Sequence, residues 1–139
     1  MATEIKPELS KKNPYYIPRH RYYELKHFSL QYKDFKKLYS YLQGRVIEGY
    51  EVKERIKTPY ADRTGDVSVS LALLGKNIDI IEKAAYEASP ELSDYILKAV
   101  TEGYSYTKLS MKMTIPCGRD MFYLCYRKYF YLLSMLRTY

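Results

Sequence analysis

The chain reads as an all-α protein, and three observations carry that prediction. Apolar residues recur at helical intervals over most of its 139 residues, no two alternating segments are joined by a hairpin signal, and no internal repeat occurs. The architecture expected is a small helical domain ending in a helix-turn-helix. Three divisions follow: an extended N-terminal arm (1–18), an N-terminal helical region (19–65), and a C-terminal helical region (66–139) whose residues 106–137 form the helix-turn-helix.

Residues 1–18 are polar, contain Pro7, Pro14 and Pro18, and read as a stiff arm tipped by Tyr15 and Tyr16. From Arg19 a helical pattern carries Tyr22, Tyr23, Leu25, Phe28, Leu30 and Tyr32. A second helix starts at Lys33 or Asp34 and runs to Gln43. Phe35, Leu38, Tyr39 and Leu42 form its apolar stripe, Lys33, Lys36 and Lys37 its basic side, and Gly44 its expected stop. In 45–65 the apolar Val46, Ile47, Val52 and Ile56 alternate with charges, and Thr58-Pro59-Tyr60 and Thr64-Gly65 interrupt any period, so no single element is predicted. Asp66 is the expected N-cap of a long helix through Leu71, Leu74, Ile78, Ile81 and Ala85 to about Ser89, weakened in its first half by Gly75. Ser89 as N-cap and Pro90 at the first helical position then open a helix bearing Leu92, Tyr95, Ile96, Ala99 and Val100, which Gly103 ends.

The last third has the spacing that implies a job. Residues 107–113 read as a short helix and 114–118 as a break, because Pro116 disfavours an α conformation at Ile115. From Arg119 a longer helix places Phe122, Cys125 or Tyr126, Tyr129, Phe130, Leu133 and Leu136 inward. Leu109, Met113, Ile115, Phe122 and Tyr126 are the positions where the two helices must interlock. Gly118 leaves room for a phosphate near a helix N-terminus, where free N–H groups favour anions. Arg119, Asp120, Tyr123, Arg127 and Lys128 then point outward, and with Lys108 and Lys112 they make a basic edge of the kind that docks in a DNA major groove. The plainer account is a helical hairpin that closes the core and merely solvates these charges. Thr114 stands where such turns often carry glycine, which is less comfortable if a left-handed conformation is needed.

Composition sets the remaining bounds. A formal charge of +7 favours polyanionic partners, and the 18 tyrosines without any tryptophan suit a core close to a wet or charged surface. Charge is segregated: 79–94 leans acidic through Asp79, Glu82, Glu87, Glu91 and Asp94, while the first and last helices lean basic. In the run from Tyr15 to Tyr23, Arg19, His20 and Arg21 are candidate arm contacts to DNA, or else the exposed start of a helix whose tyrosines fill the core. Cys117 and Cys125, if one helix runs through both, lie about two turns apart, too far for a disulfide. Reduced thiols in a cytoplasmic protein are therefore expected, with no membrane span and no signal-peptide core. Neither these cysteines nor His20 and His27 have zinc-site spacing, so no metal or other cofactor is expected. Cys117 at a helix start is the one candidate for a lowered thiol pKa, but no partner base accompanies it and no phosphate-cradling loop is present. No catalytic residue is assigned, and an enzyme is not expected.

Asn13-Pro14-Tyr15-Tyr16-Ile17-Pro18-Arg19-His20-Arg21-Tyr22-Tyr23-Glu24-Leu25-Lys26 resembles the opening of small proteins encoded by phages and prophages of Gram-positive bacteria. Tyr95-Ile96-Leu97-Lys98-Ala99-Val100-Thr101-Glu102-Gly103, Ile115-Pro116-Cys117-Gly118-Arg119-Asp120-Met121 and Tyr126-Arg127-Lys128-Tyr129-Phe130 resemble their C-terminal part. These are ArpU/RinA-type late transcription regulators, whose C-terminal half is similar to region four of sigma factors. The resemblance covers most of the chain and is strongest from about Ile80 onward. It implies that Arg119, Tyr123 and Arg127 contact bases or phosphates and that 79–103 packs behind them. Leu124-Cys125 departs from the pattern, since a reading helix calls for more polar residues there.

The function expected is thus a phage or prophage DNA-binding transcription regulator with duplex DNA as partner. Two other roles use the same scaffold. One is a protein-binding inhibitor of a host nucleic-acid machine, such as RNA polymerase or a defence nuclease, for which a Tyr-rich arm suits the interface. The other is a small DNA-packaging recognition subunit, which would form a ring. The apolar last turn (Leu132, Leu133, Met135, Leu136) leaves surface for a homodimer.

Overall fold

The computed structural model describes residues 13–47 and 63–137. Among them are six helices and no strand: α1 (Arg19–Leu30), α2 (Tyr32–Ile47), α3 (Arg63–Ala88), α4 (Ser93–Glu102), α5 (Tyr106–Lys112) and α6 (Arg119–Leu136). The all-α expectation holds. The reading of 1–12 and of most of 45–65 lies outside the described residues. No helix among those described is long and apolar enough to cross a membrane.

The described residues fall into two compact units, one within 1–31 and 80–139, the other within 32–79. The first of these joins α1 to α4 and α6 in one core. In the second unit α2 runs on through Gly44, where an added Cβ would meet nothing within 4 Å. A lone glycine costs a helix only about 1 kcal/mol relative to alanine and does not end it without a left-handed turn. At Gly75 a Cβ would lie 3.4 Å from the Tyr39 ring, an ordinary contact, so the helix tolerates this glycine without needing it. The long helix begins at Arg63, ahead of the N-cap expected at Asp66.

In the first unit α6 supplies the centre of the core. Phe122, Tyr129, Phe130 and Leu133 are fully buried, and Cys125 and Tyr126 nearly so. Against α6 pack α1, which buries Tyr22, Leu25 and Phe28, α4, which buries Ile96, Ala99 and Val100, and α5, which buries Leu109; Ile81, Ala84 and Ala85 at the end of α3 are buried as well. Aromatic edges lock the register, with Phe130 5.1 Å from Tyr22, 5.0 Å from Tyr126 and 4.9 Å from Tyr129. Two hydroxyls of this core bond each other: Ser29 Oγ donates to the Leu25 carbonyl at 2.9 Å, so the 2.8 Å bond between Ser29 and Tyr129 is donated by the tyrosine.

Two boundaries differ from expectation and one agrees. Ser89-Pro90 opens a separate turn, with Leu92 N–H donating to the Ser89 carbonyl (3.2 Å) and to its Oγ (3.3 Å). Buried Leu92 then caps α4, whose ladder starts at Ile96 N–H to the Leu92 carbonyl (2.9 Å). The described part of the arm opens with a turn at 13–16 and is extended at Pro18. Asn13 Oδ1 accepts from Tyr15 N–H at 2.9 Å, an Asx turn; Ile17 is buried, and the Tyr15 ring lies 5.7 Å from that of Tyr131 on α6. Gly103 does end α4, at φ 73°, with Tyr104 N–H returning to the Ala99 carbonyl at 3.0 Å.

Candidate nucleic-acid interface

The edge formed by α5 and the head of α6 is built from a small number of local devices. Ser105 caps α5, its Oγ accepting from Lys108 N–H at 3.2 Å, and Leu109 anchors the helix in the core. Lys108 and Lys112, one turn apart, are therefore held on the exposed side. Both ammonium groups lie over the Tyr104 ring, at 4.7 and 5.3 Å from its centroid. The connector 113–118 is pinned where it meets α6: the Tyr106 hydroxyl donates to the Cys117 carbonyl at 2.8 Å. Within it Met113 and Ile115 are half-buried, and Leu109, Phe122 and Tyr126 of the two flanking helices are buried. At Gly118, extended at φ −79° and ψ 173°, a Cβ would meet nothing within 4 Å, so the approach to the α6 N-terminus is open.

Arg119 is the first residue of α6 and is exposed. Its guanidinium donates to Thr107 Oγ1 at 2.9 Å and lies 5.7 Å from the Tyr106 ring centroid, bridging the two helices on their outer side. Asp120 is exposed in the first turn, where a carboxylate complements the helix dipole. Arg127 and Lys128 are half-buried on the following turns. Tyr123 is less outward than expected. It is half-buried, its ring packs on Tyr106, Phe122 and Tyr126 (6.2, 5.7 and 6.3 Å), and its hydroxyl accepts from Tyr106 N–H at 3.4 Å. It braces α5, and its hydroxyl keeps its proton and a second lone pair.

The candidate arm contacts divide. Arg19 and His20 are exposed at the head of α1, whereas Arg21 is buried and corrects its expected role. Its Nε donates to Ser134 Oγ at 3.2 Å and its Nη2 to the Ser134 carbonyl at 3.0 Å. It also bonds the Arg137 carbonyl and pairs with Glu24. Arg21 thus caps the C-terminus of α6, where helix carbonyls lack partners and a cation is favoured. The signal was present in the period: Leu25, Phe28 and Ser29 form the buried stripe, and Arg21 lies one turn before Leu25 on it.

Both cysteines are free thiols, and Cys117 lies just before Gly118, the N-cap of α6, rather than within the helix. Burial pushes the Cys117 thiol up, and the nearby Cys125 adds to this. Burial raises Cys125 as well, against a lowering by its Ser89 hydrogen bond and by Lys128. Among the described residues, no group of three or more His, Cys, Asp or Glu side chains could hold a metal ion.

The sequence marks Leu124 as a departure from a polar reading face, and the structure adds Met111 and Met121 to this apolar part of the edge. Met111 on α5 is 82% exposed, and Met121 and Leu124 on α6 are 53% and 42% exposed. The inward stripe of Phe122, Cys125 and Tyr126 leaves 121 and 124 facing out, so helical phase alone could have found them. Comparison of the chain with protein-family models, with curated proteins and with solved structures finds no match.

Proposed function

We propose that the chain is a sequence-specific DNA-binding transcription regulator of the ArpU/RinA type. In this proposal it is encoded by a phage or prophage, works in the host cytoplasm, and uses α5, the connector and α6 as its helix-turn-helix. One observation carries this reading: Lys108, Lys112 and Arg119 are exposed along one helix pair whose opposite faces, through Leu109, Phe122 and Tyr126, are sealed in the core. A rigid cationic edge beside an open helix N-terminus suits a phosphate backbone. Lys108, Lys112, Arg127 and Lys128 take phosphates. Arg119 leaves its exposed bond to Thr107 for a guanine edge, and Asp120 accepts from a cytosine amino group. No cofactor or catalytic residue is needed. The test is duplex affinity of the full chain against salt. Four phosphate contacts predict a log–log slope of roughly −3.6, and an affinity indifferent to salt would remove the reading.

Exposed Met111, Met121 and Leu124 favour a second role, docking on a host protein such as RNA polymerase, since methionine-rich surfaces adapt to protein partners. Salt-insensitive capture of polymerase by the full chain, with no duplex binding, is its signature.

A further inference from the structure

The outward side of the first two turns of α6 is not uniformly polar. Between Arg119 and Asp120 at its head and Arg127 and Lys128 further along stand Met121 and Leu124, 53% and 42% exposed. They are three residues apart, so their side chains are neighbours on one face, with Cβ atoms about 5–6 Å from each other. The core does not claim them, because Phe122, Cys125 and Tyr126 fill that role from the other side of the same turns. A reading helix presents its N-terminal residues to base edges, and the only strongly apolar group in the major groove is the C5-methyl of thymine. Two apolar side chains inside a cationic rim have no phosphate to meet there. They do have a methyl group to cover.

We infer that Met121 and Leu124 are specificity residues that contact thymine methyl groups, so the binding site carries thymines at the centre of the surface read by α6. The inference rests on the DNA-binding reading above and names what that edge recognises. Base pairs are stacked about 3.4 Å apart, and the side-chain spacing covers one to two such steps. The two thymines are therefore adjacent or separated by a single base pair. Phosphate contacts from Lys108 and Lys112 position the helix without choosing the sequence.

The experiment uses the full chain and a duplex selected by it from a random pool. Each thymine of that duplex is replaced in turn by deoxyuridine, which removes only the methyl group, and affinity is measured for wild type, Met121→Ala and Leu124→Ala. Circular dichroism checks that both variants keep wild-type helicity. Two positions, adjacent or one apart, should each weaken binding about fourfold, the loss expected for one buried methyl-sized group. The uridine effect at one position should vanish in Leu124→Ala and at the other in Met121→Ala. If every replacement leaves affinity unchanged while the duplex is still bound, the thymine inference falls and DNA binding stands. If the full chain selects no duplex at all, both fall.

Discussion

The Arg21 guanidinium donates to the Ser134 carbonyl oxygen at 3.0 Å, joining positions 113 residues apart in the chain. A residue that looks like part of a basic DNA-contacting arm is instead the cap of the longest helix in the first unit's core. Around it, Glu24 also lies 3.7 Å from Arg137, whose guanidinium stacks 4.2 Å from the Phe28 ring centroid. Replacing Arg21 by Met removes charge-assisted bonds to part-buried carbonyls and should lower stability by about 2 kcal/mol in chemical denaturation. Arg21→Lys should recover only part of this, because an ammonium lacks the fork that reaches Ser134 and Arg137 together. Folded Arg21→Met should bind duplex DNA as wild type does. A specific loss of DNA affinity with unchanged stability would return Arg21 to the interface.

Tyr106 ties the site together, donating to the Cys117 carbonyl while its own N–H is held by Tyr123. Tyr106→Phe keeps the ring contact with Phe122 at 5.5 Å but frees the connector. The expected cost is about 1 kcal/mol of stability, with a fall in duplex affinity because Gly118 and Arg119 are no longer fixed. Thermal melts and binding isotherms on the same samples check the two together.

Gly103 is the one described glycine with positive φ. A Cβ there would stand 3.5 Å from Leu30 Cδ2, an ordinary contact, so the penalty for Gly103→Ala is backbone strain alone. It should cost about 1–2 kcal/mol, and Gly103→Asn less, as asparagine tolerates the left-handed region better. Equal stability of the alanine variant would contradict the turn.

Both thiols have raised pKa values, chiefly from burial. Each favours the folded state in its neutral form. That contribution is fully present below the ionisation range of an unfolded thiol and is lost as pH rises through the folded-state values. The denaturation midpoint should fall on going from neutral to alkaline buffer, and less so in a Cys117→Ser, Cys125→Ser double variant. Alkylation by iodoacetamide at neutral pH should be slower than for an unfolded control peptide; a faster reaction at Cys117 would show an activated thiol.

Helical phase exposed most of the core to reading. The inward residues of α6 from Phe122 to Leu133 and the stop at Gly103 were legible because each is a local signal, a period or a left-handed turn. The place of Arg21 on the inward stripe of α1 was legible in the same way, but nothing near it in sequence marks Ser134 and Arg137 as its partners; only the fold brings them together. Tyr123 was misjudged for a related reason. Its position on the helix faces outward in projection, but α5 crosses that side and Tyr106 covers it. The pairing of α1 with the C-terminal helices is likewise a long-range fact that composition shifts along 19–65 could not reveal. Leu124 stood out in the sequence as an apolar departure on the reading helix, whereas Met121, legible by phase, was hidden by attention to charge.

The central claim is that the α5–α6 edge binds duplex DNA through its cations. The most direct measurement is a gel-shift titration of a selected duplex with wild type and with the Arg119→Gln, Arg127→Gln double variant, both verified as folded. Removing one base contact and one phosphate contact predicts at least a tenfold weaker shift, as a single base-reading arginine contributes about 1–3 kcal/mol. Identical titrations for the two proteins would contradict the claim.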